Sequence, residues 1–527
     1  MKILSAAILE IDRSDGAGVV NWTSGQLRLD TNSVIKNSGE FNDSASSLMN
    51  TASGGVGTFT NESTRVYNKT ASRSTEIDVT FDNHGLVNID AGTLIIDGGG
   101  TNSPTGTFAA VSGAEVIFHS TYGVTDAAKL TGAGQYSLQS DILVLDGTLS
   151  ASNFHVEGGT LKGTHTITNG ATWTDGNFSS GTTTNASGSV LNLSNSLSNQ
   201  VDDHDIINQS GGTVYWTSGN IDARTGSVIT NQGTFKDTAD KLFVTNSGAV
   251  GSFQNDASGT NNKNGSGTTE FDETFNNDGE FSITTDGTFS SSADDFTLVN
   301  NGTIKKTGSI GTTTIDVPFT NNGLVTALTG NFHFTDTLTF GDGGKLGGGV
   351  QFDAPLTLPT NSTLQGNGTI TGTIITGGKV SPGNSIGTLT ITGDLNLLSS
   401  SSTFIEVDAS TTAGSADLVN VSGNLTLGGN LSWNLLSTLD PVTTSMFTLF
   451  TANNLSGSFA NATHGTRLST ADGHRSFIVN YGSGSTFDAN SVIFSSFEFT
   501  PVPEPSTWAL MFTGLMIITW QSRRRRG

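Results

Sequence analysis

The sequence predicts an all-β fold, a right-handed parallel β-helix, and three observations lead to this prediction. A long block of the sequence occurs twice without a gap. Beneath it runs a shorter period of 21 to 23 residues, in which an Asn-rich turn ending in Gly precedes a strand-like stretch. Outside the C-terminal tail, no long stretch has the apolar spacing of an amphipathic helix. Such a period is typical of solenoids, in which each coil buries its apolar residues only against its neighbours.

The long repeat covers about residues 18–99 and 212–293. Trp22 and Trp216 each begin the tetrapeptide Trp-Thr-Ser-Gly, and their offset is 216 − 22 = 194 residues. Further pairs keep the same offset: Val34 and Val228, Phe41 and Phe235, Glu76 and Glu270, Phe81 and Phe275. A block copied without gaps indicates a modular fold, and 194 residues correspond to about nine coils.

The short period is clearest where Gly279, Gly302 and Gly323 each end an Asn-rich turn. We expect Asn and Gly at these turns to supply the left-handed backbone angles that the corners need. The stretches 312–317 and 332–340 are rich in β-branched and aromatic residues, as strands are. Separate β-sandwiches would give the same strand signals and are the alternative fold.

Residues 1–377 form this repetitive region, and the pattern changes in residues 378–500. Between 378 and 460 the sequence resembles the autotransporter-associated β-strand region of surface proteins, whose passenger domains are β-helical. The residues that carry the resemblance are Pro382-Gly383-Asn384, Gly387, Gly393-Asp394-Leu395, Asp417, Gly423 and Gly428-Gly429. The resemblance implies that the β-helix continues through this region.

The tail, residues 501–527, has three parts in a fixed order. They are Pro503-Glu504-Pro505, an uncharged apolar segment at 506–520, and a cluster made of Arg523, Arg524, Arg525 and Arg526. Proline is tolerated where a helix begins, so we expect a helix from Pro505 onward. Because the segment 506–520 has no polar face, we predict a transmembrane helix there. The arginine cluster is expected on the cytoplasmic side of the inner membrane.

This arrangement resembles the PEP-CTERM sorting signal of Gram-negative bacteria. The resemblance implies an exosortase as partner, a membrane protease thought to cut near the Pro-Glu-Pro signature. It also implies an exported precursor anchored in the inner membrane, which then moves to the cell surface or extracellular matrix. An ordinary tail anchor is the alternative, although an anchor has no need of Pro-Glu-Pro.

Export requires a secretory signal peptide, and the first residues do not supply a convincing one. Lys2 precedes only a short apolar stretch, 3–9, before Glu10 and Asp12 interrupt it. We therefore expect the signal peptide to lie upstream of Met1.

Composition is consistent with a location outside the cell. The 527 residues include 67 Gly, 13% are charged, and there is no Cys, so disulfides cannot stabilise the fold. The formal net charge of −23 makes nucleic acid a poor partner, because phosphate binding needs positive charge.

Several motifs of known catalytic sites are absent: there is no Cys nucleophile, Walker loop or HExxH pair. We therefore predict no catalytic residues, no metal site and no cofactor. The histidines His84, His155 and His333 are interpreted as surface residues of turns or strands. The run Asp202-Asp203-His204-Asp205 is interpreted as a solvated loop, with a cation site as the alternative. The stretches 97–100 and 341–344 are expected to be turns.

Two classes of function agree with these observations. The first is a non-enzymatic surface or matrix protein whose repetitive polar face adheres to polysaccharide or to like molecules. The second is a β-helical polysaccharide lyase or hydrolase, with acidic residues clustered on one face of the coils. We favour the first, because function depends on sites and the sequence contains no recognisable catalytic site.

Overall fold

The protein is described from a computed structural model, which covers residues 2–4, 7–12, 18–30, 32–51, 55–244, 249–292, 296–410, 414–499 and 505–524. The chain forms two compact units, Met1–Thr339 and Phe340–Gly527.

The first unit is a β-solenoid in which each early coil contributes one strand to each of three rows of parallel strands. Strands at the first position of the early coils are Ile8–Asp12, Val34–Ser38, Thr58–Asn61, Thr80–Asn83, Gly100–Asn102, Tyr122–Val124 and Ile142–Leu145. Strands at the second position are Val19–Trp22, Glu40–Asp43, Val66–Lys69, Leu86–Ile89, Thr107–Ala110, Leu130–Gly132 and Gly147–Leu149. Strands at the third position are Lys2–Leu4, Leu27–Leu29, Leu48–Thr51, Thr75–Ile77, Thr93–Ile96, Glu115–Phe118 and Gln135–Leu138.

Four long strands then continue across the corners, and shorter strands follow them. The long strands are Phe154–Ile167, Ala171–Asn185, Val190–Asn208 and Thr213–Arg224. The later strands of the unit are Val228–Asn231, Thr234–Asp237, Leu242–Val244, Ser252–Asn255, Thr260–Lys263, Thr269–Phe271, Thr274–Asn277, Glu280–Ile283, Thr288–Ser290, Leu298–Asn300, Thr303–Lys306, Thr312–Asp316, Phe319–Asn321, Leu324–Ala327, Asn331–Phe334 and Leu338–Phe340. A single 3-10 turn, Ala127–Lys129, interrupts the β pattern within the described residues.

Many of the short strands alternate buried and half-buried residues, as Thr58–Asn61 and Thr80–Asn83 do, which is the period of two in a strand. The inward positions place similar residues in successive coils on top of one another. Phe59 and Phe81 occupy paired positions and stack with ring centroids 5.4 Å apart. In the second copy, Phe253 and Phe275 stack in the same way at 4.9 Å. The parallel pairing between successive coils confirms the predicted β-solenoid, and the β-sandwich alternative is wrong.

The two copies of the long repeat have the same local structure but lie on different sheets. Trp22 and Trp216 both donate from the indole Nε1 to a carbonyl three residues later, each at 2.7 Å. Trp22 belongs to a six-stranded sheet at the second position of its coils. Trp216 lies on the sheet that runs without interruption from Leu27–Leu29. Two equivalent residues, 194 positions apart in the sequence, therefore lie in different coils and also on different sheets.

This relation predicts the outcome of an in-register deletion. Removing residues 62–255 joins Asn61 to the segment after Asn255, which is its equivalent in the second copy. Since each coil contacts only its neighbours, we expect a shorter soluble solenoid with an unchanged far-UV circular dichroism signal per residue. A deletion of 183 residues, which breaks the coil register, is the control and should not fold. Loss of the β signal in the in-register variant would contradict the modular interpretation.

The turns that end at Gly279, Gly302 and Gly323 correct one prediction. None of these three glycines has a positive φ, so they do not supply left-handed angles. The coils instead approach so closely that a Cβ at Gly302 would lie 2.1 Å from the carbonyl oxygen of Gly279. Likewise, a Cβ at Gly323 would lie 2.0 Å from the oxygen of Gly302. Glycine is required at these turns because of backbone proximity between coils.

The asparagine at the start of each such turn is buried and joins a ladder of amide hydrogen bonds. In each step Nδ2 of one residue donates to Oδ1 of the next, at 2.6 to 2.8 Å. The longer ladder consists of Asn185, Asn208, Asn231, Asn255, Asn277, Asn300 and Asn321. The ladder of the first copy consists of Asn37, Asn61, Asn83 and Asn102.

The second unit contains parallel coils, an antiparallel end and one helix. Its strands are Lys345–Leu346, Val350–Phe352, Leu356–Leu358, Thr363–Gly366, Gly368–Thr371, Ile374–Thr376, Lys379–Pro382, Thr388–Thr392, Leu395–Leu397, Ser402–Asp408, Ser415–Ala416, Leu418–Val421, Asn424–Leu427, Asn430–Leu435, Phe447–Thr451, Asn454–Gly457, Arg467–Ser469, Arg475–Asn480 and Ser491–Phe499. The last two strands pair antiparallel and end the β part of the unit. The helix α1 spans Pro505–Arg524.

The residues that resemble an autotransporter-associated region have structural roles in this unit. The Asp417 carboxylate accepts hydrogen bonds from the backbone N–H groups of Gly387 and Glu406, both at 2.9 Å. Burial raises the pKa of Asp417 to about 6. Asp394 accepts from the N–H of Asn424 at 2.7 Å. These carboxylates therefore fix the turns between successive coils.

The predicted transmembrane helix at 506–520 is not supported. Within the described residues, no helix has the length and apolarity needed to cross a bilayer. Although α1 contains 20 residues, Gln521, Ser522, Arg523 and Arg524 occupy its last turn. The remaining apolar part falls short of the roughly 20 apolar residues that a membrane-spanning helix needs.

Candidate functional site

The tail helix is the first candidate site, because its apolar side chains are exposed. Every residue from Leu510 to Arg524 except Gly514 is exposed, and Leu510 itself is 73% exposed. The guanidinium of Arg524 lies over the Trp520 ring, 4.2 Å from its centroid. The helix thus presents an apolar surface on all sides and a cationic end.

The predicted sorting residues fall partly within this helix. Pro505 is its first residue, as expected, and Arg523 and Arg524 lie in its last turn. Pro503, Glu504, Arg525 and Arg526 lie outside the described residues.

A second candidate is a row of acidic and histidine side chains on the outside of the first unit, here called the carboxylate–histidine face. It consists of Glu76, Asp78, Asp97, His119, Gln139, His155 and Glu157. Asp78, Asp97, His119 and Gln139 each directly follow a strand at the third position of consecutive coils. The coil repeat therefore brings residues into contact that lie about 20 positions apart in the sequence.

Contacts run along this face from coil to coil. His119 Nδ1 lies 3.7 Å from a carboxylate oxygen of Asp97, and its Nε2 lies 3.0 Å from Gln139 Oε1. The amide of Gln139 donates to Glu157 at 3.0 Å. Glu157 in turn lies 3.4 Å from Nδ1 of His155.

At one end of the face the pKa values of two carboxyl groups are raised. Burial raises the pKa of Glu76, and the nearby charges of Asp97 and Asp78 raise it further. Burial and the charge of Asp97 also raise the pKa of Asp78. Glycosidases carry out acid–base catalysis with a pair of carboxyl groups, of which the acid has a raised pKa. Sequence analysis did not identify this face, because only the coil period connects its members.

The run at 202–205 is not a solvated loop. It lies within the strand Val190–Asn208. Asp202 accepts from the Thr225 hydroxyl at 2.5 Å, and Asp205 accepts from the N–H of Val228 at 2.9 Å. His204 is buried. In the part of the chain that the structure describes, no three His, Asp or Glu side chains are arranged to hold a metal ion.

The other residues that sequence analysis considered lie where it placed them. His84 lies in a turn after the strand Thr80–Asn83, while His155 and His333 are half-buried on strands. Positive φ angles at Gly99 and Gly343 agree with turns at 97–99 and 341–344, whereas Gly100 already begins the strand Gly100–Asn102.

Sequence analysis missed several buried polar groups and a third copy of the tryptophan motif. Trp173 donates to the carbonyl of Gly176 at 3.1 Å, as Trp22 and Trp216 do three residues ahead. The signal was the sequence Trp173-Thr-Asp-Gly176, which differs at one position from the other two. Lysines at inward positions of strands, Lys69, Lys263 and Lys306, are also buried.

Comparison with known proteins identifies the tail. Residues 501–526 match the model of the PEP-CTERM protein-sorting motif. No curated protein sequence matches the chain. Among solved structures the chain is similar to one described as the crystal structure of the Haemophilus influenzae Hap adhesin, with 12% identity and a TM-score of 0.29. That similarity covers 90% of this chain and 64% of the Hap chain.

Proposed function

We propose that the chain is an exported surface or extracellular-matrix protein of a Gram-negative bacterium, sorted by an exosortase and structural or adhesive in role. The match of residues 501–526 to the PEP-CTERM motif is the observation that carries this proposal. A sorting signal of this kind belongs to exported proteins, and the exposed apolar surface of α1 agrees with a tail that a membrane enzyme recognises.

In this proposal the tail acts before the solenoid does. The exposed apolar side chains of α1 keep the precursor associated with the inner membrane. The exosortase then cuts near Pro503-Glu504-Pro505 and releases the solenoid toward the surface or matrix. The residues proposed to carry the signal are Pro503, Glu504, Pro505, Arg523, Arg524, Arg525 and Arg526.

Replacing Pro503 and Pro505 with alanine and Glu504 with glutamine should leave an uncleaved, cell-associated precursor. The wild-type chain should appear in the matrix or medium at a lower mass. Immunoblots of fractionated cells measure both outcomes. The control variant is Glu498→Gln, which removes a nearby exposed charge outside the motif. If the triple variant reached the medium at wild-type mass, exosortase sorting would be refuted.

The adhesive role is proposed for the outward face of the solenoid. Half-exposed and exposed amides repeat along it, with Asn42 Nδ2 donating to Asn21 at 3.1 Å and Asn88 donating to Asn68 at 2.9 Å. Such rows offer many weak hydrogen-bonding positions to a polysaccharide, and their number gives avidity.

Shortening the solenoid by the in-register deletion should therefore weaken attachment to matrix polysaccharide by degrees and not abolish it. Sedimentation with isolated matrix measures the bound fraction.

The carboxylate–histidine face offers the alternative function, a polysaccharide lyase or hydrolase. If Glu76→Gln abolished a measurable polysaccharide cleavage and left attachment intact, the enzymatic role would replace the adhesive one.

A further inference from the structure

The structure contains a buried Lys–Asp contact whose surroundings differ from those of an ordinary ion pair. The Lys263 ammonium hydrogen-bonds directly to Oδ1 of Asp240. A second carboxyl group, Asp237, lies with Oδ2 at 3.6 Å from the same nitrogen. The side chain of Lys263 is 1% exposed and that of Asp237 is 7% exposed. One buried amine thus contacts two carboxyl groups.

The second carboxyl group is held in place by hydrogen bonds, and its pKa is raised. Asp237 accepts from the N–H of Ala239 at 3.0 Å and from the Thr269 hydroxyl at 3.1 Å. Burial raises its pKa, although the charge of Lys263 acts in the opposite direction. The aromatic rings of Trp216 and Phe235 lie beside it in the interior and exclude water.

The internal copy of the sequence provides a natural comparison. Lys69 and Asp43 are the equivalents of Lys263 and Asp237 at the 194-residue offset, but Ser46 stands where the second copy has Asp240. Lys69 donates instead to the backbone carbonyls of Ala71 and Arg73, at 2.5 and 2.7 Å.

The residues that surround Asp240 changed together with it. Gly265 and Gly267 stand at the positions where the first copy has Ala71 and Arg73. A Cβ at Gly265 would lie 2.1 Å from Asp240 Oδ1 and 2.7 Å from Lys263 Nζ. A Cβ at Gly267 would lie 2.9 Å from the Asp240 carboxylate. The two glycines therefore leave the space that the Lys263–Asp240 contact needs.

A third lysine shows what an ordinary pair looks like in this solenoid. Lys306 Nζ lies 2.7 Å from Asp286, and its other partners are the carbonyl of Thr285 and the hydroxyls of Ser309 and Thr313. The hydrogen bond from Lys306 lowers the pKa of Asp286, which therefore stays ionised. This pair has a polar environment of hydroxyl groups in place of a second buried carboxyl group.

We propose that Lys263 and Asp240 condense to an intramolecular amide that cross-links adjacent coils, with Asp237 relaying the proton. The Lys263 nitrogen attacks the Asp240 carboxyl carbon, so that an N–C bond forms and a C–O bond breaks. The ammonium loses two protons in turn; Asp237 accepts each of them and delivers it to the departing oxygen, which leaves as water. An ammonium and a carboxylate give an amide and one water, so no oxidant or other reactant is needed. The fixed contact supplies the proximity that makes such a step intramolecular.

The cross-link is consistent with the rest of the chain. An exported protein without cysteine cannot use disulfides. An amide between Asp240 and Lys263 closes one coil of the solenoid and would restrict the unfolded chain as a disulfide does.

Intact-mass spectrometry of the full-length denatured protein tests the proposal. The wild-type chain should be lighter than its calculated mass by one water molecule. After digestion, tandem spectra should show the peptide with Lys263 joined to the peptide with Asp240, while the peptide with Lys69 should be unlinked. A succinimide also loses one water but joins no second peptide, so the digest distinguishes the two.

Three variants complete the experiment. Asp240→Ser, which copies Ser46, and Asp237→Asn should both have the full calculated mass. Asp286→Ser removes the ordinary pair and should leave the one-water deficit unchanged. A folded wild-type chain at its full calculated mass would overturn the proposal, and this readout does not depend on any variant folding. Complete cross-linking in Asp237→Asn would exclude the proton relay through that residue.

Discussion

Replacing Asn255 with alanine should lower the free energy of unfolding by about 2 to 4 kcal/mol, because it interrupts the buried amide ladder. Asn255 accepts from Asn231 at 2.8 Å and donates to Asn277 at 2.6 Å and to the Glu280 carbonyl at 3.1 Å. All three asparagines are fully buried. Truncation leaves the Asn277 oxygen without its ladder donor, and no water reaches it. Denaturant unfolding followed by circular dichroism measures the change in midpoint.

The matched control is Asn68→Ala, which interrupts a similar row on the outside of the solenoid. Asn68 donates to Asn42 at 2.9 Å and accepts from Asn88 at 2.9 Å, but its side chain is half-exposed. Water can replace these partners, so we expect a loss of less than about 1 kcal/mol. Equal losses in the two variants would show that burial does not make the inner ladder special.

The ladder also shows how far the sequence could predict the fold. The Asn-Gly turns and their period were visible, and they correctly indicated a solenoid. The role of the asparagines was not visible, since a turn and a ladder place the same residue at the same spacing. The contact between Gly302 and Gly279 depends on the distance between coils, which the sequence does not specify. The prediction that these glycines supply left-handed backbone angles was therefore wrong, and the close approach of neighbouring coils is the reason for glycine there.

The candidate sites divide in the same way. The tail was predictable, because its residues are contiguous and their order is diagnostic. The carboxylate–histidine face and the Lys263–Asp240 contact were not, because residues that meet from successive coils lie 18 to 23 positions apart, as Glu157 does from Gln139 and Lys263 from Asp240. Because the coils differ in length, only the observed strand pairing shows which residues of successive coils lie next to each other on the outside or in the interior.

A pair of buried histidines should make the first unit sensitive to acid. His165 Nδ1 lies 3.2 Å from the Leu145 carbonyl and therefore donates to it, which leaves Nε2 to accept from the Thr183 hydroxyl at 3.0 Å. That hydroxyl has one proton, so His204 Nε2, at 2.8 Å, must donate to it. The chain of hydrogen bonds is complete when both rings are neutral.

Burial, together with the charge of His204, lowers the pKa of His165 to about 4. Burial likewise lowers the pKa of His204 to about 4, against the charges of Asp205 and Asp203. Asp146 acts on His165 in the same opposing direction. In the unfolded chain both histidines return to a pKa near 6.5.

The sign of the effect follows from these values. Above the unfolded pKa both states are neutral and the folded protein keeps its full stability. As the pH falls through 6.5 the unfolded chain gains protons first, so stability is lost until the pH reaches about 4. For one histidine whose pKa falls this far, the free energy of unfolding decreases by about 3 kcal/mol between neutral pH and pH 4. For the pair together, the decrease is up to about 6 kcal/mol.

Between pH 7 and pH 4, we therefore expect the unfolding midpoint of the wild-type first unit to fall steeply. The double variant His165→Gln and His204→Gln keeps hydrogen-bonding groups near Thr183 but cannot titrate. The double variant should be less stable than the wild type at pH 7, and its unfolding midpoint should not fall steeply toward pH 4. His155→Gln, which removes a half-exposed histidine beside Glu157, is the control and should retain the steep fall. The double variant could instead lose stability toward pH 4 as steeply as the wild type. The acid sensitivity would then come from other groups, because the two glutamines cannot take up protons in this pH range.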